Sequence, residues 1–360
     1  MHLIIVLVTS FIFGSEQPGL IWTNGRDLAI EGQAWQDTKA TWDRLPARAE
    51  GVVRDPVWGN SRHSAGMLLR FRSDSPRLHA RWKLTSDQLS MPHMPATGVS
   101  GLDLYVHDGD GWRWTATPRP GSRLNEMELL ADLDGRMRDW MLYLPLYNGI
   151  EAISIGTVEG STIEPLPRPA NDMPPIVFYG TSITHGACAS RPGMCHVAIL
   201  GRELDIEVVN LGFSGSGTMD PEMADFLGEI DASMYVVDCL PNLDGEQVAQ
   251  RAVPFVKRLR ALRPETPILL VEDRTWGDSH INASRAKYQT ENRAALRAAW
   301  DDLKSEGVPN LHYLEGDRLL SEDGDGTVDG SHPTDLGFRH QADAFKEVIV
   351  PILNPKNGSL

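Results

Sequence analysis

The sequence predicts an α/β protein: a parallel sheet with helices on both faces, preceded by a β-sandwich. Three observations carry that reading. Short runs of alternating apolar and polar residues, separated by turn signals, fill residues 17–163. Residues 164–175 hold five prolines (165, 167, 169, 174 and 175), a composition unfit for a strand or helix interior and so a linker. Beyond it, in residues 176–353, strand-like runs alternate with helix-like ones, the order of a parallel sheet covered on both faces.

Length and composition agree with two domains. The chain has 360 residues, 41% hydrophobic and 23% charged, enough apolar content for real cores. Its formal net charge is -15 with no basic cluster, which argues against nucleic acid and anionic membrane surfaces as partners. The three cysteines, Cys188, Cys195 and Cys239, include no C-x-x-C pair, so zinc or thioredoxin-type chemistry is not expected. Cys188 and Cys195 are close enough in sequence to bridge around Pro192-Gly193; buried free thiols are the expectation. The apolar run Leu3 to Phe13 is too short to span a bilayer and reads as a signal-peptide core within residues 1–15, cleaved near Gly14 or Ser15. Export to the periplasm or outside the cell is therefore expected. The flanks depart from the pattern, with no Lys or Arg before the run and no clear A-x-A, and the alternative is an apolar first strand of a cytoplasmic protein. No other run is long enough for a membrane span.

In the first half, strands are expected over 65–72, 78–84, 101–107 and 112–114, the last two joined at Asp108-Gly109-Asp110-Gly111. Two more, 140–146 and 152–155, flank the turn Asn148-Gly149. Together they form a jelly-roll-like sandwich, whose aromatics are expected in its core rather than on a sugar-binding face.

In the second half, Ile176 to Tyr179 is a buried strand ending at Gly180, with Ser182 two residues on and helix-compatible sequence from about Met194. Further strands are expected at 207–210, 233–239 and 268–272. One helix carries Val248, Ala252, Phe255, Leu259 and Leu262 on one face; another carries Leu296, Ala299, Trp300 and Leu303.

A Ser at the carboxyl end of a parallel strand lies where open α/β sheets place their ligands, although such a Ser also caps helices. The stretch Asp329-Gly330-Ser331-His332-Pro333 weighs against mere capping. An acid three residues before a His can turn back onto the imidazole, fix its tautomer and stabilise its charged form. Ser182, His332 and Asp329 thus supply hydroxyl, base and orienter. Donors for an oxyanion are available in Asn210-Leu211-Gly212-Phe213-Ser214-Gly215 and in Pro241-Asn242, each after a strand. Asp323-Gly324-Asp325-Gly326 lacks the spacing of a calcium loop and reads as a solvated turn.

In this order, Gly-Thr-Ser, Asn-x-Gly-x-Ser-Gly, Pro-Asn and Asp-x-x-His-Pro resemble the four blocks of the SGNH (GDSL-type) hydrolases. The likeness covers roughly residues 176–353. The longer matches, Gly180 to Thr184, Asp238 to Asn242 and Asp329 to Gly337, are similar to a branch with an N-terminal β-sandwich that resembles carbohydrate acetylesterases. The resemblance implies a flavodoxin-like three-layer domain. It also implies Ser182 as nucleophile, His332 as general base and Asp329 as its orienter. The implied oxyanion hole comprises the Ser182 and Gly215 N–H groups and the Asn242 amide. There are departures: Gly-Thr-Ser replaces the commoner Gly-Asp-Ser, and block three reads Leu-Pro-Asn-Leu rather than Gly-x-Asn-Asp.

The function so implied is a serine esterase that removes short acyl groups, acetyl first among them, from carbohydrate, with no metal or organic cofactor. The partner is an acylated carbohydrate or other small ester. A lipid or thioester hydrolase and a non-catalytic carbohydrate-binding protein are the alternatives. Three further residues are candidates for substrate contact. His185 lies three after Ser182, with packing of the first helical turn as its plainer role. Arg191 precedes Pro192-Gly193 and equally reads as an ion pair. His93, in Met91-Pro92-His93-Met94-Pro95, belongs to a stiff loop able to reach over the site.

Overall fold

The computed structural model describes residues 19–169, 172–321 and 323–354; the expected signal segment lies outside them. Among the described residues of the first half there are ten strands: β1 (Leu20–Asn24), β2 (Ala29–Glu31), β3 (Leu68–Ser73), β4 (Leu78–Leu84), β5 (Asp103–His107), β6 (Trp112–Ala116), β7 (Leu124–Leu130), β8 (Arg138–Tyr143), β9 (Ile150–Val158) and β10 (Ile163–Pro165). They make two antiparallel sheets, β1-β9-β4-β7 and β10-β3-β8-β5-β6, with β2 also on β3. Alternating apolar residues from both sheets meet in one core that encloses Trp82, Trp140 and Phe71. Each fully buried side chain of this size stabilises the fold by roughly 1.5–3 kcal/mol. Trp114 is the exception, at 52% exposed.

The strands expected around Asn148-Gly149 do not pair with each other. β8 and β9 belong to different sheets, so the turn is a crossing between layers. Strand β7 escaped the pattern because Asn125 and Glu126 interrupt its apolar alternation. The proline-rich stretch also begins as structure: Glu164 and Pro165 pair with Arg72 and Phe71. Proline is tolerated there because the strand lies at a sheet edge. Arg168, further along, is paired with Glu31.

The second half is a five-stranded parallel sheet in the order β12-β11-β13-β14-β15. Its strands are β11 (Ile176–Gly180), β12 (Val208–Gly212), β13 (Met234–Asp238), β14 (Ile268–Val271) and β15 (Leu311–Leu314). This is the flavodoxin-like order 2-1-3-4-5, whose switch point lies beside the first strand. Fully buried strands such as Ile-Val-Phe-Tyr-Gly are apolar on both faces because helices cover both. β15 is missed by pattern because it is a short edge strand containing His312.

Among the described residues there are eight α-helices: α1 (Asp55–Ser61) and α2 (Ala96–Val99) in the first half, then α3 (Ser182–His185), α4 (His196–Leu204), α5 (Pro221–Glu229), α6 (Gly245–Leu262), α7 (Ala283–Ser305) and α8 (Asp335–Leu353). Helix α6 buries Val248, Ala252, Phe255 and Leu259 as expected. Leu262 does not follow them: it is the last residue of the helix, 47% exposed. Cys188, Cys195 and Cys239 are all free and buried.

The halves share their cores. Trp35, Leu45, Ala49, Val53 and Val57, from the segment between β2 and β3, pack into the α5–α6 side of the parallel sheet. Leu68, Val99, Tyr105, Met141 and Tyr143 pack with α4 and α8 on the other side. Across the seam, buried Asp103 accepts from the Arg191 guanidinium at 2.7 Å and the Gly193 N–H at 2.9 Å. No helix among the described residues is long and apolar enough to cross a membrane.

Candidate active site

Strand β11 delivers the site. It ends at Gly180, where a Cβ would lie 2.1 Å from Thr184 Oγ1, so the chain can fold back at once into α3. Thr181 caps that helix, its Oγ1 accepting from the Ile183 N–H at 3.3 Å. The helix therefore starts at Ser182 itself, well before the helix-compatible stretch near Met194 that became α4. At this first position Ser182 has a backbone N–H with no partner among the described residues.

Ser182 Oγ lies 2.8 Å from His332 Nε2. His332 Nδ1 lies 2.7 Å from Asp329 Oδ2. The Asp329 carboxylate also accepts from the N–H groups of Ser331 at 3.0 Å and His332 at 2.8 Å. Burial works to raise the Asp329 carboxyl. The hydrogen bonds from the His332 N–H, the imidazole and the Ser331 N–H outweigh it and hold the acid below the ordinary carboxylate range. An ionised Asp329 accepts from Nδ1–H, which leaves Nε2 able to take a proton from Ser182. Ser182 is 8% exposed, whereas the His332 and Asp329 side chains are 26% and 42% exposed. The site opens on the histidine side.

The loop after β12 supplies the next group. Gly215 has φ +65°, a left-handed conformation that favours glycine, and nothing stands within 4 Å of where its Cβ would be. Its N–H has no partner among the described residues. Two residues on, a Cβ on Gly217 would sit 1.9 Å from Gly180 O, so this loop closes directly onto the end of β11. In the amide orientation that satisfies the hydrogen bonding on both sides, the Asn242 oxygen accepts from Ser216 N–H at 3.1 Å and Gly217 N–H at 3.3 Å. That turns its NH2 group away from those donors. Asn292 holds the Asn242 turn from below, donating to Leu240 O and Leu243 O at 3.3 Å each.

A buried polar scaffold, found by no sequence signal, holds these loops. Asp238, at the end of β13, pairs with Arg274 at 2.9 Å with both side chains at 0% exposure. The same carboxylate accepts from Thr184 Oγ1 at 3.2 Å, tying α3 to the sheet. Arg44, reaching from the first half, donates to Asn210 O at 3.1 Å and Gly212 O at 2.7 Å. It also donates to His63 O and Asn60 O, so carbonyl dipoles rather than a carboxylate satisfy this buried cation. Tyr147 adds a bond from its hydroxyl to Ser182 O at 3.2 Å.

The three further candidates separate. His185 does not line the site: it is fully buried, stacked on Tyr147 at 4.1 Å, with Nε2 2.6 Å from Leu146 O. Burial, then the charges of Arg44 and His63, hold its pKa well below the ordinary value, so its ring is neutral. Arg191 is committed to Asp103 and to the Tyr105 hydroxyl at 2.6 Å. His93 is exposed and stands edge-on to His332, ring centroids 5.8 Å apart. Cys188 neighbours the same loop, donating its N–H to Pro333 O at 3.1 Å. Burial, then the Asp329 charge, push its thiol up to about 12, so it stays protonated and is no rival nucleophile. Among the described residues no His, Cys, Asp and Glu cluster suits a metal ion.

A serine, a histidine and an aspartate hydrogen-bonded in series at the carboxyl edge of a flavodoxin-like sheet define an SGNH-type hydrolase. Residues 173–350 match the GDSL-like lipase/acylhydrolase family, and residues 20–163 match the N-terminus of SGNH-hydro-type esterases. A GDSL-like lipase from Bacteroides ovatus is 30% identical over 93% of this chain and 98% of its own, with TM-score 0.89. The chain belongs to the GDSL-like (SGNH) family, and acyl ester hydrolysis is the activity class that membership assigns. Two more distant structures share the fold. The salicylyl-acyltransferase of a tetracycline biosynthetic pathway is 20% identical over 94% of this chain and 98% of its own, TM-score 0.73. A family two carbohydrate esterase from Clostridium thermocellum, in complex with cellohexaose, is 14% identical over 81% and 93%, TM-score 0.59. No curated protein matches the chain.

Proposed function

We propose that this protein removes short acyl groups, acetyl first among them, from carbohydrate by a serine acyl-enzyme mechanism. The observation that carries the mechanism is the hydrogen-bonded series Ser182–His332–Asp329, at 2.8 and 2.7 Å. Ser182 attacks the ester carbonyl as His332 Nε2 takes its proton, and Asp329 stabilises the imidazolium that results. The oxyanion is received by the Ser182 and Gly215 N–H groups and the Asn242 NH2. His332 then protonates the departing alcohol, and water repeats the cycle on the acyl-enzyme. No step calls for a metal or an organic cofactor. The carbohydrate half of the reading is supported by the two-part architecture shared with family two carbohydrate esterases. We also propose export, on the apolar run Leu3 to Phe13.

The test is turnover of p-nitrophenyl esters from acetate to octanoate, with Ser182→Ala as control, followed by acetylated glycans. Acetate preference that vanishes in the variant is expected. Preference for long chains would move the protein to lipid or thioester substrates. Activity that persists in Ser182→Ala would remove the serine mechanism.

A further inference from the structure

The first half of the chain reaches the reacting groups at one exposed side chain. Residues Met91 to Pro95 form a tight turn in which Met91 and Met94 exchange both backbone hydrogen bonds, at 3.0 and 3.1 Å. Pro92 and Pro95 fix φ at two positions, and Met94 is buried in the core beneath. The following residues are pinned to the loop after α3. Thr97 Oγ1 donates to Ser190 O at 2.6 Å, and a Cβ on Gly98 would lie 2.3 Å from Ala189 O. That same loop holds the histidine segment, through Cys188 N–H to Pro333 O and Ser190 N–H to Asp335 Oδ1 at 2.9 Å. His93 is therefore placed against His332 through rigid connections, its plane 68° from that of the catalytic ring. Its imidazole has no hydrogen-bond partner among the described residues.

The direction of the contact follows from the division of labour in the site. The oxyanion donors, on the loops after β11, β12 and β13, hold the acyl carbonyl. His332 hands its proton to the departing alcohol. A group set against the His332 ring stands beside that alcohol rather than beside the acyl chain. Resting on the ester-hydrolase reading, we propose that His93 is a specificity-determining residue that hydrogen-bonds a hydroxyl flanking the ester in a polyhydroxy alcohol. An imidazole carries two hydrogen-bonding ring nitrogens, which suit a hydroxyl and give nothing to an alkyl chain. The acyl group is selected elsewhere in the site.

Glyceryl monoacetate and n-propyl acetate make the matched pair, since they differ only in the hydroxyls of the alcohol. In His93→Ala the ratio of their kcat/KM values should fall by about 3- to 10-fold, the worth of one hydrogen bond. His93→Gln, which keeps a donor and an acceptor, should recover most of it. The ranking of acetate, propionate and butyrate esters of one alcohol should be unchanged. An equal fall on both esters would overturn the proposal, because His93 would then act through His332; an unchanged ratio would overturn it as well. A second measurement separates this from the esterase reading. Ser182→Ala protein is titrated with a methyl glycoside monoacetate and the ligand's NMR signals are followed. Weaker binding after His93→Ala is added sustains the contact even if no turnover is ever found. Equal binding removes it even if turnover is fast.

Discussion

The two halves of the molecule meet the site in different ways. The parallel-sheet half supplies the groups of the proposed chemistry: Ser182 after β11, Gly215 after β12 and Asn242 after β13, with Asp329 and His332 on the loop that leads into α8. The sandwich half supplies side chains only, and most act from behind: Arg44 on the carbonyls of Asn210 and Gly212, Tyr147 on the carbonyl of Ser182. His93 instead stands edge-on to the His332 ring itself. The difference teaches that a site can be chemically complete in one half and still depend on the other for its shape.

Substitutions can break or sharpen that contrast. The largest effect belongs to the sheet half: Ser182→Ala should lower kcat by about 10⁶-fold with unchanged thermal stability. Asp329→Asn keeps the shape but presents an NH2 group to Nδ1, and a loss of about 10⁴-fold in kcat is expected. Asn242→Ala should cost about 100- to 1000-fold, mostly in kcat, if its amide receives the oxyanion. A change in KM alone would assign it to substrate binding instead. From the sandwich half, Arg44→Met takes the guanidinium donor from the buried carbonyls of Asn210 and Gly212 and should lower unfolding stability by about 3 kcal/mol, read by urea denaturation. Loss of activity without loss of stability in that variant would erase the contrast.

The smallest effect is a pH slope. Burial first, with Arg44 second, pushes His63 down to about 3. Burial also pushes His196 down to about 3, although the Asp238 charge opposes it. Burial pushes Asp273 the other way, up to about 6. Between about pH 4 and 6 the unfolded chain binds a proton at each of His63 and His196 that the folded chain refuses. The folded chain meanwhile keeps one carboxyl proton that the unfolded chain releases. Over His63, His196 and Asp273 the net is one proton on the unfolded side, so these three groups contribute a rise in stability with pH of about 1.4 kcal/mol per unit across that window, and the buried neutral His185 adds to it in the same direction. His196 stacks on Phe338 and Phe345, so His196→Phe fits its site and should flatten the slope; denaturant midpoints at pH 4, 5 and 6 decide it.

What was legible in the sequence follows the range of the interaction. Asp329 and His332 are three residues apart, and the bonds between them close a local loop that spacing alone foretells. Strands β11, β13 and β14 announce themselves because burial on both faces makes them almost continuously apolar. Arg44 was invisible because its partners in the site, Asn210 O and Gly212 O, lie more than 160 residues away and are backbone carbonyls, which every residue carries. His185 follows its plainer expectation: it packs the first helical turn, its ring stacked on Tyr147 with Nε2 at Leu146 O. The role of Pro165 depended on an edge position that only the assembled sheet defines.

The segment between β2 and β3 packs on the parallel sheet, yet the chain on either side of it returns to the sandwich. The polypeptide thus visits the second half before it has finished building the first. Pulled from its two ends, such a molecule cannot come apart as beads on a string, because tension reaching the sandwich also draws Trp35, Leu45 and Val53 out of the other core. A chimera that exchanges sandwiches between relatives by cutting at the prolines would strand those residues on the wrong parent. The workable graft keeps residues 33–63 with the sheet they cover.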